Sequence, residues 1–129
     1  LDSLVSSQLL INIFEHNTPL HDGAVIIRGD RIVAATCYLP LSDNLDLNKN
    51  LGTRHRAGVG ISEVSDALTV IVSEETGRVS VTKNGEIHVG LNKEELRQIL
   101  EQEQNKVKQE NVKHRLWKGL VKNEKKSDE

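Results

Sequence analysis

Two tight-turn signals, each between two short segments with strand character, restrict the fold of this chain more than any other feature of its sequence. The turns with their flanking runs are Gly29-Asp30 between residues 24–27 and 31–39, and Asn84-Gly85 between residues 78–83 and 86–91. Glycine and Asn-Gly pairs adopt the backbone conformations that short hairpin turns require. We therefore predict two β-hairpins and, from its β-branched residues, one further strand over residues 67–73.

Helical patterns occupy both ends of the chain. Apolar residues recur at helical spacing over residues 2–16, and Asn17-Thr18-Pro19 ends that pattern. A short helix is expected over residues 55–63. Asn92 has the character of a helix N-cap, with Glu95 three residues later as in a capping box.

The sequence therefore predicts one α/β domain over residues 1–129, with a central mixed twisted β-sheet flanked by helices. Its predicted helical parts are an N-terminal helix within residues 1–17 and C-terminal helices within 92–121. The second of the C-terminal helices is expected over Val112–Val121, with Trp117 facing inward, and residues 122–129 are expected to fray.

Composition narrows the function classes. Only three of the 129 residues are aromatic, so the core must consist of Val, Ile, Leu and Ala. Seventeen Lys and Arg against nineteen Asp and Glu give a net charge of -2, which argues against a generally basic nucleic-acid surface. The single cysteine, Cys37, excludes an internal disulfide and a multi-cysteine zinc site. No apolar run approaches the length of a transmembrane helix. Because the chain begins at Leu1 rather than methionine, we expect a fragment of a longer protein.

The first candidate site is the turn His21-Asp22-Gly23-Ala24, directly before the first predicted hairpin. A carboxylate at such a turn can bind a hard cation or accept a hydroxyl proton. Glycine allows the backbone to approach a ligand closely. A plain turn explains the same residues, because Asp and Gly are common in turns.

The second candidate is Gly52-Thr53-Arg54-His55-Arg56. Arginine binds phosphate oxygens with two parallel hydrogen bonds, and a helix that starts here would add free N–H groups. The cluster is unusual, because residues 1–91 carry seven basic and eleven acidic residues, a net charge of -4. Pairing with nearby acids on a solvated surface is the alternative.

Two further segments are weaker candidates. Ser73-Glu74-Glu75-Thr76-Gly77 follows a predicted strand and offers carboxylates to a metal, although a polar turn explains it equally well. Tyr38 and Leu39 end the second strand of the first hairpin, where an aromatic ring is suited to stacking on a nucleobase or to packing.

Taken in order, these motifs resemble the diadenylate cyclase (DAC) domain family, most closely the catalytic domain of its membrane-anchored CdaA type. Asp22-Gly23-Ala24 and Arg54-His55-Arg56 carry the resemblance, about thirty residues apart. The flanking segments match as well: Tyr38-Leu39-Pro40-Leu41-Ser42, residues 58–63 and residues 72–77.

The resemblance implies that two ATP molecules are condensed to cyclic di-AMP with release of two pyrophosphates. It implies a homodimer in which two subunits face each other. It also implies a metal-dependent reaction, with Mn or Mg as the cofactor and His21, Asp22 and Glu75 as its ligands.

The remaining roles are likewise implied by the resemblance. Asp22 would deprotonate or orient a 3′-hydroxyl, with Arg54, His55 and Arg56 as the other catalytic residues. The resemblance assigns nucleotide binding to the following residues: Gly23, Ala24, Tyr38, Leu39, Gly52, Thr53, Ser73 and Glu74. The parent protein would be anchored at the inner face of the bacterial plasma membrane, with this domain in the cytoplasm and room for regulatory protein partners.

Two alternatives remain open from the residues alone. A non-catalytic adenine-nucleotide-binding or sensing module would need the arginines but not Asp22. A structural interaction domain would use the charged residues only as a solvated surface. Nucleic acid is not an expected partner in any of these hypotheses.

Overall fold

The structure is a computed structural model that describes residues 1–127, with side chains as far as residue 119. The elements in chain order are β1 (Ser3–Leu4), α1 (Ser7–Ile13), β2 (Ala24–Arg28), β3 (Arg31–Cys37), α2 (Thr53–Val64), β4 (Thr69–Val72), β5 (Val79–Lys83), β6 (Glu86–Leu91) and α3 (Lys93–Ser127). The predicted α/β class is confirmed.

The strands form two small antiparallel sheets rather than one central mixed sheet. The strand orders are β1-β3-β2 and β4-β5-β6. Each predicted hairpin forms two adjacent strands of one sheet, and a third strand pairs with each hairpin at one edge. The short turns explain the antiparallel pairing of β2 with β3 and of β5 with β6, because a two-residue connection joins antiparallel strands only.

Both hairpin turns have the backbone conformation that their residues predict. Asn84 and Gly85 have φ angles of 52° and 80°, in the left-handed region that a type I′ turn requires at both central positions. Gly29 also has a positive φ, 61°. Both predicted hairpins are therefore confirmed, with strand ends within a few residues of the expected ones.

The N-terminal segment differs from the predicted helix over residues 2–16. Ser3 and Leu4 pair with β3 instead, and the Arg31 guanidinium donates to the Asp2 carboxylate at 2.6 Å. Helix α1 begins only after Ser6, whose hydroxyl accepts the N–H of Leu9 at 3.1 Å. A non-local strand pairing therefore replaces the first helical turn.

The core is aliphatic, as the composition predicts. Its buried hydrophobic residues are Ile13, Ile32, Val59, Ile71 and Val81. All three aromatic side chains are outside it: Phe14 is 46% exposed, Tyr38 91% and Trp117 65%. The inward orientation predicted for Trp117 is therefore wrong.

The chain divides into two compact units, Leu1–Val89 and a second that begins at Gly90. The first unit contains every candidate site residue. Among the described residues, no helix is both long enough and apolar enough to cross a membrane.

Helix α3 is one continuous helix from Lys93 to Ser127, where separate C-terminal helices and a frayed tail over 122–129 were predicted. No glycine or proline interrupts residues 93–118, so nothing in the sequence breaks the helix before Gly119. The predicted start is confirmed: Asn92 Oδ1 accepts the N–H of Glu95 at 2.8 Å. Residues 128 and 129 lie outside the described part of the chain, as does the side chain of Leu120.

Candidate active site

The Asp22-Gly23 turn is fixed against an irregular part of β3. Gly23 has a φ of 106°, and a Cβ at this position would lie 2.9 Å from Cα of Thr36. Thr36 itself has a φ of 51°, and the β2–β3 register shifts after Ala24, which pairs with Cys37. Only glycine fits this close approach, because a Cβ would overlap the Thr36 backbone. The turn therefore packs directly against the bulge in β3, which fixes it at the start of β2.

This arrangement brings the first motif next to the residues that follow β3. Asp22 is exposed, and its carboxylate has no hydrogen bond or ion pair among the described residues. Tyr38 follows the strand residue paired with Ala24 and is 91% exposed, whereas Leu39 is half-buried. A free carboxylate and an open aromatic face therefore occupy the same end of one hairpin.

The imidazole of His21 is held by a hydrogen bond to the preceding turn. Its Nδ1 lies 2.7 Å from the carbonyl oxygen of Thr18. Because a carbonyl only accepts, Nδ1–H is the donor, and in the neutral ring Nε2 carries the lone pair. The Thr18 hydroxyl in turn donates to the carbonyl of Glu15 at 2.8 Å, which anchors the turn. A histidine held in this way is prepared to bind a metal through Nε2.

The second motif forms the start of α2. Gly52 is the N-cap and provides no side-chain acceptor, and the first intrahelical bond runs from the N–H of Arg56 to the carbonyl of Gly52 at 3.2 Å. The N–H groups before Arg56 therefore have no intrahelical acceptor. Free N–H groups at a helix N-terminus favour an anion, and a phosphate suits this position.

Close packing, rather than helix propensity, holds α2 in position. A Cβ on Gly60 would overlap the carbonyl oxygen of Pro40, and the N–H of Ser42 donates to the carbonyl of Arg56 at 3.0 Å. On another side, the Thr82 hydroxyl donates to the carbonyl of Gly58 at 2.8 Å. The segment after Tyr38 and Leu39 is thus attached directly to the helix that carries the arginines.

The two arginines of the motif differ in their surroundings. The Arg54 guanidinium forms an ion pair with Glu74, which joins the second motif to the third. Arg56 is half-buried and forms no ion pair with any carboxylate among the described residues. Arg54 thus pairs with a nearby acid, which is the alternative that the sequence left open for this cluster. The positive charge of Arg56 is not balanced by any carboxylate of the described residues.

His55 lies inside the protein rather than on the open face. His55 is only 8% exposed, and its Nδ1 is buried without a hydrogen-bond partner among the described residues. An unpaired buried polar atom typically costs about 1–3 kcal/mol. The predicted catalytic role of His55 stays a prediction, and its burial adds a packing role that the sequence did not indicate.

The third motif is a compact turn that presents two carboxylates. Ser73 organises it: its hydroxyl accepts the N–H of Thr76 at 3.3 Å, and its carbonyl accepts the N–H of Gly77 at 2.9 Å. The ends close where the N–H of Ser73 donates to the carbonyl of Arg78 at 3.0 Å. Glu74 and Glu75 are both exposed on this turn.

The predicted metal ligands do not form a preassembled coordination site in the described part of the chain. Within the part of the chain that the structure describes, no three or more His, Cys, Asp or Glu side chains are grouped to hold a metal ion. His21, Asp22 and Glu75 are therefore not a preformed three-ligand set, and their roles stay predictions.

Four residues that position the site were not singled out from the sequence: Thr18, Thr36, Gly60 and Thr82. The Asn-Thr-Pro turn marked the region of Thr18, but nothing local indicated its contact with His21. Gly60 inside a predicted helix was a usable signal, because a glycine costs helix stability unless close packing needs it.

Comparison with known proteins gives consistent matches. The family described as DisA bacterial checkpoint controller nucleotide-binding, abbreviated DAC, matches residues 1–87. The cyclic di-AMP synthase CdaA of Bacillus subtilis is 58% identical over 120 residues, which are 92% of this chain and 44% of that protein. A diadenylate cyclase of Listeria monocytogenes is 62% identical over 100 residues, covering 78% of this chain and 37% of that protein. The chain thus spans less than half the length of these relatives.

Solved structures agree with the sequence matches. A crystal structure of DacA from Staphylococcus aureus, a double cysteine mutant, shares 58% identity at a TM-score of 0.75 and covers 78% of this chain and 67% of that one. A structure from Bacillus cereus described as a hypothetical membrane spanning protein shares 46% identity at a TM-score of 0.69, covering 71% and 45%.

Proposed function

The chain belongs to the diadenylate cyclase (DAC) domain family, and from this membership we propose that it condenses two ATP molecules into cyclic di-AMP and two pyrophosphates. The observation that best supports the proposal is the free, exposed carboxylate of Asp22 in the same compact unit as the unpaired guanidinium of Arg56. A pure nucleotide binder needs the second group but not the first.

The reaction forms two phosphodiester bonds. Each 3′-hydroxyl attacks the α-phosphorus of the other nucleotide, the bond to the β-phosphate oxygen breaks, and pyrophosphate leaves with that electron pair. The hydroxyl proton goes to a base. Such phosphoryl transfers depend on positioning and charge stabilisation more than on covalent catalysis.

Asp22 is the base or hydroxyl-orienting group in this proposal. A carboxylate with no internal partner is available to accept a proton from a hydroxyl within hydrogen-bond distance. Gly23 lets the turn pack against the backbone of Thr36 and Cys37, which fixes the neighbouring Asp22 at the start of β2.

The start of α2 binds the triphosphate. Thr53 and the free N–H groups of the first turn supply hydrogen-bond donors, and Arg56 supplies a full charge. Arg54 is already paired with Glu74, so nucleotide must either share that guanidinium or displace the carboxylate. Charge on these groups also stabilises the departing pyrophosphate.

The adenine lies against Tyr38 and Leu39, which offer an exposed ring and a half-buried apolar side chain. Base stacking on an aromatic face is tolerant of small changes in position. Gly23 and Ala24 lie against Thr36 and Cys37, directly before Tyr38. In this proposal both contact the nucleotide, as does Ser73.

A divalent metal fits the donor set around His21. Its Nε2 is free, and a nitrogen donor beside a carboxylate suits Mn better than Mg, which prefers oxygen ligands. With no three-ligand group among the described residues, His21 and Asp22 or Glu75 would hold the ion together with nucleotide phosphates. The ion would supply charge neutralisation, because carboxylates next to a polyphosphate otherwise repel it.

We further propose that two subunits face each other, so that Asp22 of one acts on the nucleotide of its partner. The support is chemical: one Asp22 serves one hydroxyl, and the product needs two such attacks. We also propose a membrane-anchored parent protein with this domain at the inner face of the plasma membrane, where ATP is available; the similar structure described as a membrane spanning protein supports this.

The deciding experiment is incubation of the chain with ATP and Mn²⁺, with the product identified by mass spectrometry. Asp22→Asn should lower the rate of cyclic di-AMP formation at least about 100-fold while ATP binding by calorimetry stays within a few-fold. Asp66→Asn, which removes another exposed carboxylate of the same unit, is the matched control and should keep full activity. Equal activity of Asp22→Asn and the control would exclude the role of Asp22.

Mixing wild-type chain with Asp22→Asn tests the facing arrangement. A mixed dimer keeps one working carboxylate, so it should form one phosphodiester bond and accumulate the linear dinucleotide with release of one pyrophosphate. Absence of any linear product, with mixed dimers demonstrated, would contradict a site shared in this way.

A further inference from the structure

The last part of α3 has a charge opposite to that of the rest of the helix. We call Val112–Ser127 the basic segment. It contains six Lys and Arg and one Glu, a net charge of +5, whereas Lys93–Asn111 contains four Lys and Arg and five Glu, a net charge of -1. A single continuous helix therefore changes sign along its length, within a chain whose overall charge is -2.

Apolar side chains of the same segment are open to solvent. Val112 is 53% exposed, Leu116 64% and Trp117 65%. At 100° per residue these three positions fall within an arc of about 140° on the helix. The helix thus presents a solvent-exposed apolar strip that no other described side chain of its compact unit covers.

The basic side chains are arranged around this strip. Arg115 and Lys118 lie about 60° apart on the opposite side of the helix. Lys113 falls within the apolar arc, a position at which a lysine lays its four-carbon stem along an apolar surface and keeps its ammonium group in the polar phase. A cationic face, an apolar strip and a tryptophan on one helix are the pattern of helices that lie in a membrane interface.

Charge complementarity favours an anionic lipid surface over a second copy of the chain as the partner of the basic segment. A second copy of the segment would bring a net charge of +5 against +5, which opposes parallel pairing. An anionic lipid surface compensates these charges, and each Lys or Arg near such a surface strengthens binding about fivefold. Tryptophan also prefers the boundary between headgroups and acyl chains.

We propose that the basic segment binds the surface of a membrane containing anionic lipids, with Leu116 and Trp117 inserted at the headgroup boundary and the lysines on the phosphates. This binding is independent of the cyclase reaction. It would hold the second compact unit at the membrane through a contact of its own.

Trp117 is the only tryptophan of the chain and therefore reports on this contact directly. The 129-residue chain is titrated with vesicles of phosphatidylcholine alone and with vesicles that also contain phosphatidylglycerol. The emission of Trp117 should shift to shorter wavelength only with the anionic vesicles. The shift should weaken strongly between about 0.1 M and 1 M salt, as the screening length falls from about 10 Å to about 3 Å.

Matched variants distinguish binding through the basic segment from a general effect of the charge of the helix. Lys113→Glu/Lys118→Glu should weaken vesicle binding at least about 25-fold, from two contributions of about fivefold each. Lys106→Glu/Lys108→Glu changes the charge of the same helix equally, outside the segment, and should weaken binding less than about fivefold. Leu116→Gln should weaken it as well, because the apolar strip is shortened.

Several outcomes would overturn the proposal. Equal binding to neutral vesicles would exclude recognition of anionic lipid. A blue shift that depends on protein concentration without lipid would identify a second copy as the occupant. A shift with a nucleic-acid polymer but not with vesicles would identify a nucleic acid, and equal losses in the two lysine pairs would exclude a specific segment.

Discussion

Helices α2 and α3 are stabilised in opposite ways. Helix α2 has two internal glycines, no side-chain N-cap and five buried residues in twelve. Helix α3 has a capping box, acidic residues Glu94 and Glu95 in its first turn, and mostly exposed side chains over residues 93–119. Packing against the rest of its unit holds α2, whereas local sequence holds α3.

This difference decides which helix is suited to carry a reaction site. The start of α2 is fixed from several directions, through Pro40 and Ser42 on one side and Thr82 on another. Side chains on such an element keep a defined position, as phosphoryl transfer requires. The exposed residues of α3 are suited to binding a surface, where exact position matters less. The same kind of substitution should therefore have opposite effects in the two helices.

The largest effect is expected for Gly60→Ala in α2. A new Cβ would overlap the carbonyl oxygen of Pro40 and lie 2.9 Å from the N–H nitrogen of Ser42, both backbone atoms that cannot turn away. The free energy of unfolding should fall by more than about 3 kcal/mol, with loss of the proposed cyclase activity. Chemical denaturation followed by circular dichroism measures it. A change below about 1 kcal/mol would show that α2 is not held by this contact.

Local signals predicted those parts of the fold that depend on local chemistry. Asn84-Gly85 and the Asn92–Glu95 capping box act within four residues, and the hairpin and the start of α3 are where they were expected. The strand at Ser3–Leu4 depends on Arg31 and Ile32, which lie about thirty residues away. A pattern of helical spacing carries no information about such a competing partner.

The same division applies to the candidate site. The motifs around Asp22 and Arg54 were recognisable as segments, and their residue types indicated phosphate and metal chemistry. The Arg54–Glu74 ion pair, the burial of His55 and the contact of Gly60 with Pro40 are tertiary features. Nothing in the spacing of the residues specified them, because each joins segments that only the fold brings together.

A smaller loss is expected for Gly58→Ala, two residues earlier in α2. Its Cβ would lie 2.7 Å from Cδ1 of Ile71, the end of a side chain that has alternative rotamers. Overpacking should exceed the gain in helix propensity, for a net loss of about 1–2 kcal/mol. Adding Ile71→Val removes the clashing methyl group, so the double variant should recover part of the loss. If the stability losses of Gly58→Ala and Ile71→Val measured separately add up to the loss of the double variant, the clash is not the cause.

Asn92→Ala tests the local stabilisation of α3. Loss of the Asn92 acceptor should destabilise the first turn by about 1 kcal/mol, because the N–H of Glu95 loses its 2.8 Å hydrogen bond. Amide hydrogen exchange at Glu95 should then quicken about fivefold, while exchange in α2 and cyclase activity stay unchanged. Asn92→Asp, which keeps an oxygen acceptor, is the control and should retain the protection. Unchanged exchange at Glu95 in the alanine variant would mean that the capping box does not stabilise this helix.

The smallest effect, and the only one with the opposite sign, is expected for Gly119→Ala in α3. A Cβ at Gly119 would meet no atom of the described side chains within 4 Å, in contrast to the glycines of α2. The substitution should therefore only reduce the freedom of the unfolded chain and stabilise the helix by about 0.5–1 kcal/mol. Far-ultraviolet circular dichroism during heating should show more helix retained at each temperature, and cyclase activity should not change. Because Gly58, Gly60 and Gly119 undergo the same chemical change, the sign of each result distinguishes packing from propensity directly. A loss of helix on Gly119→Ala would mean that a partner packs closely on α3 at this position, which would contradict a helix stabilised by its local sequence.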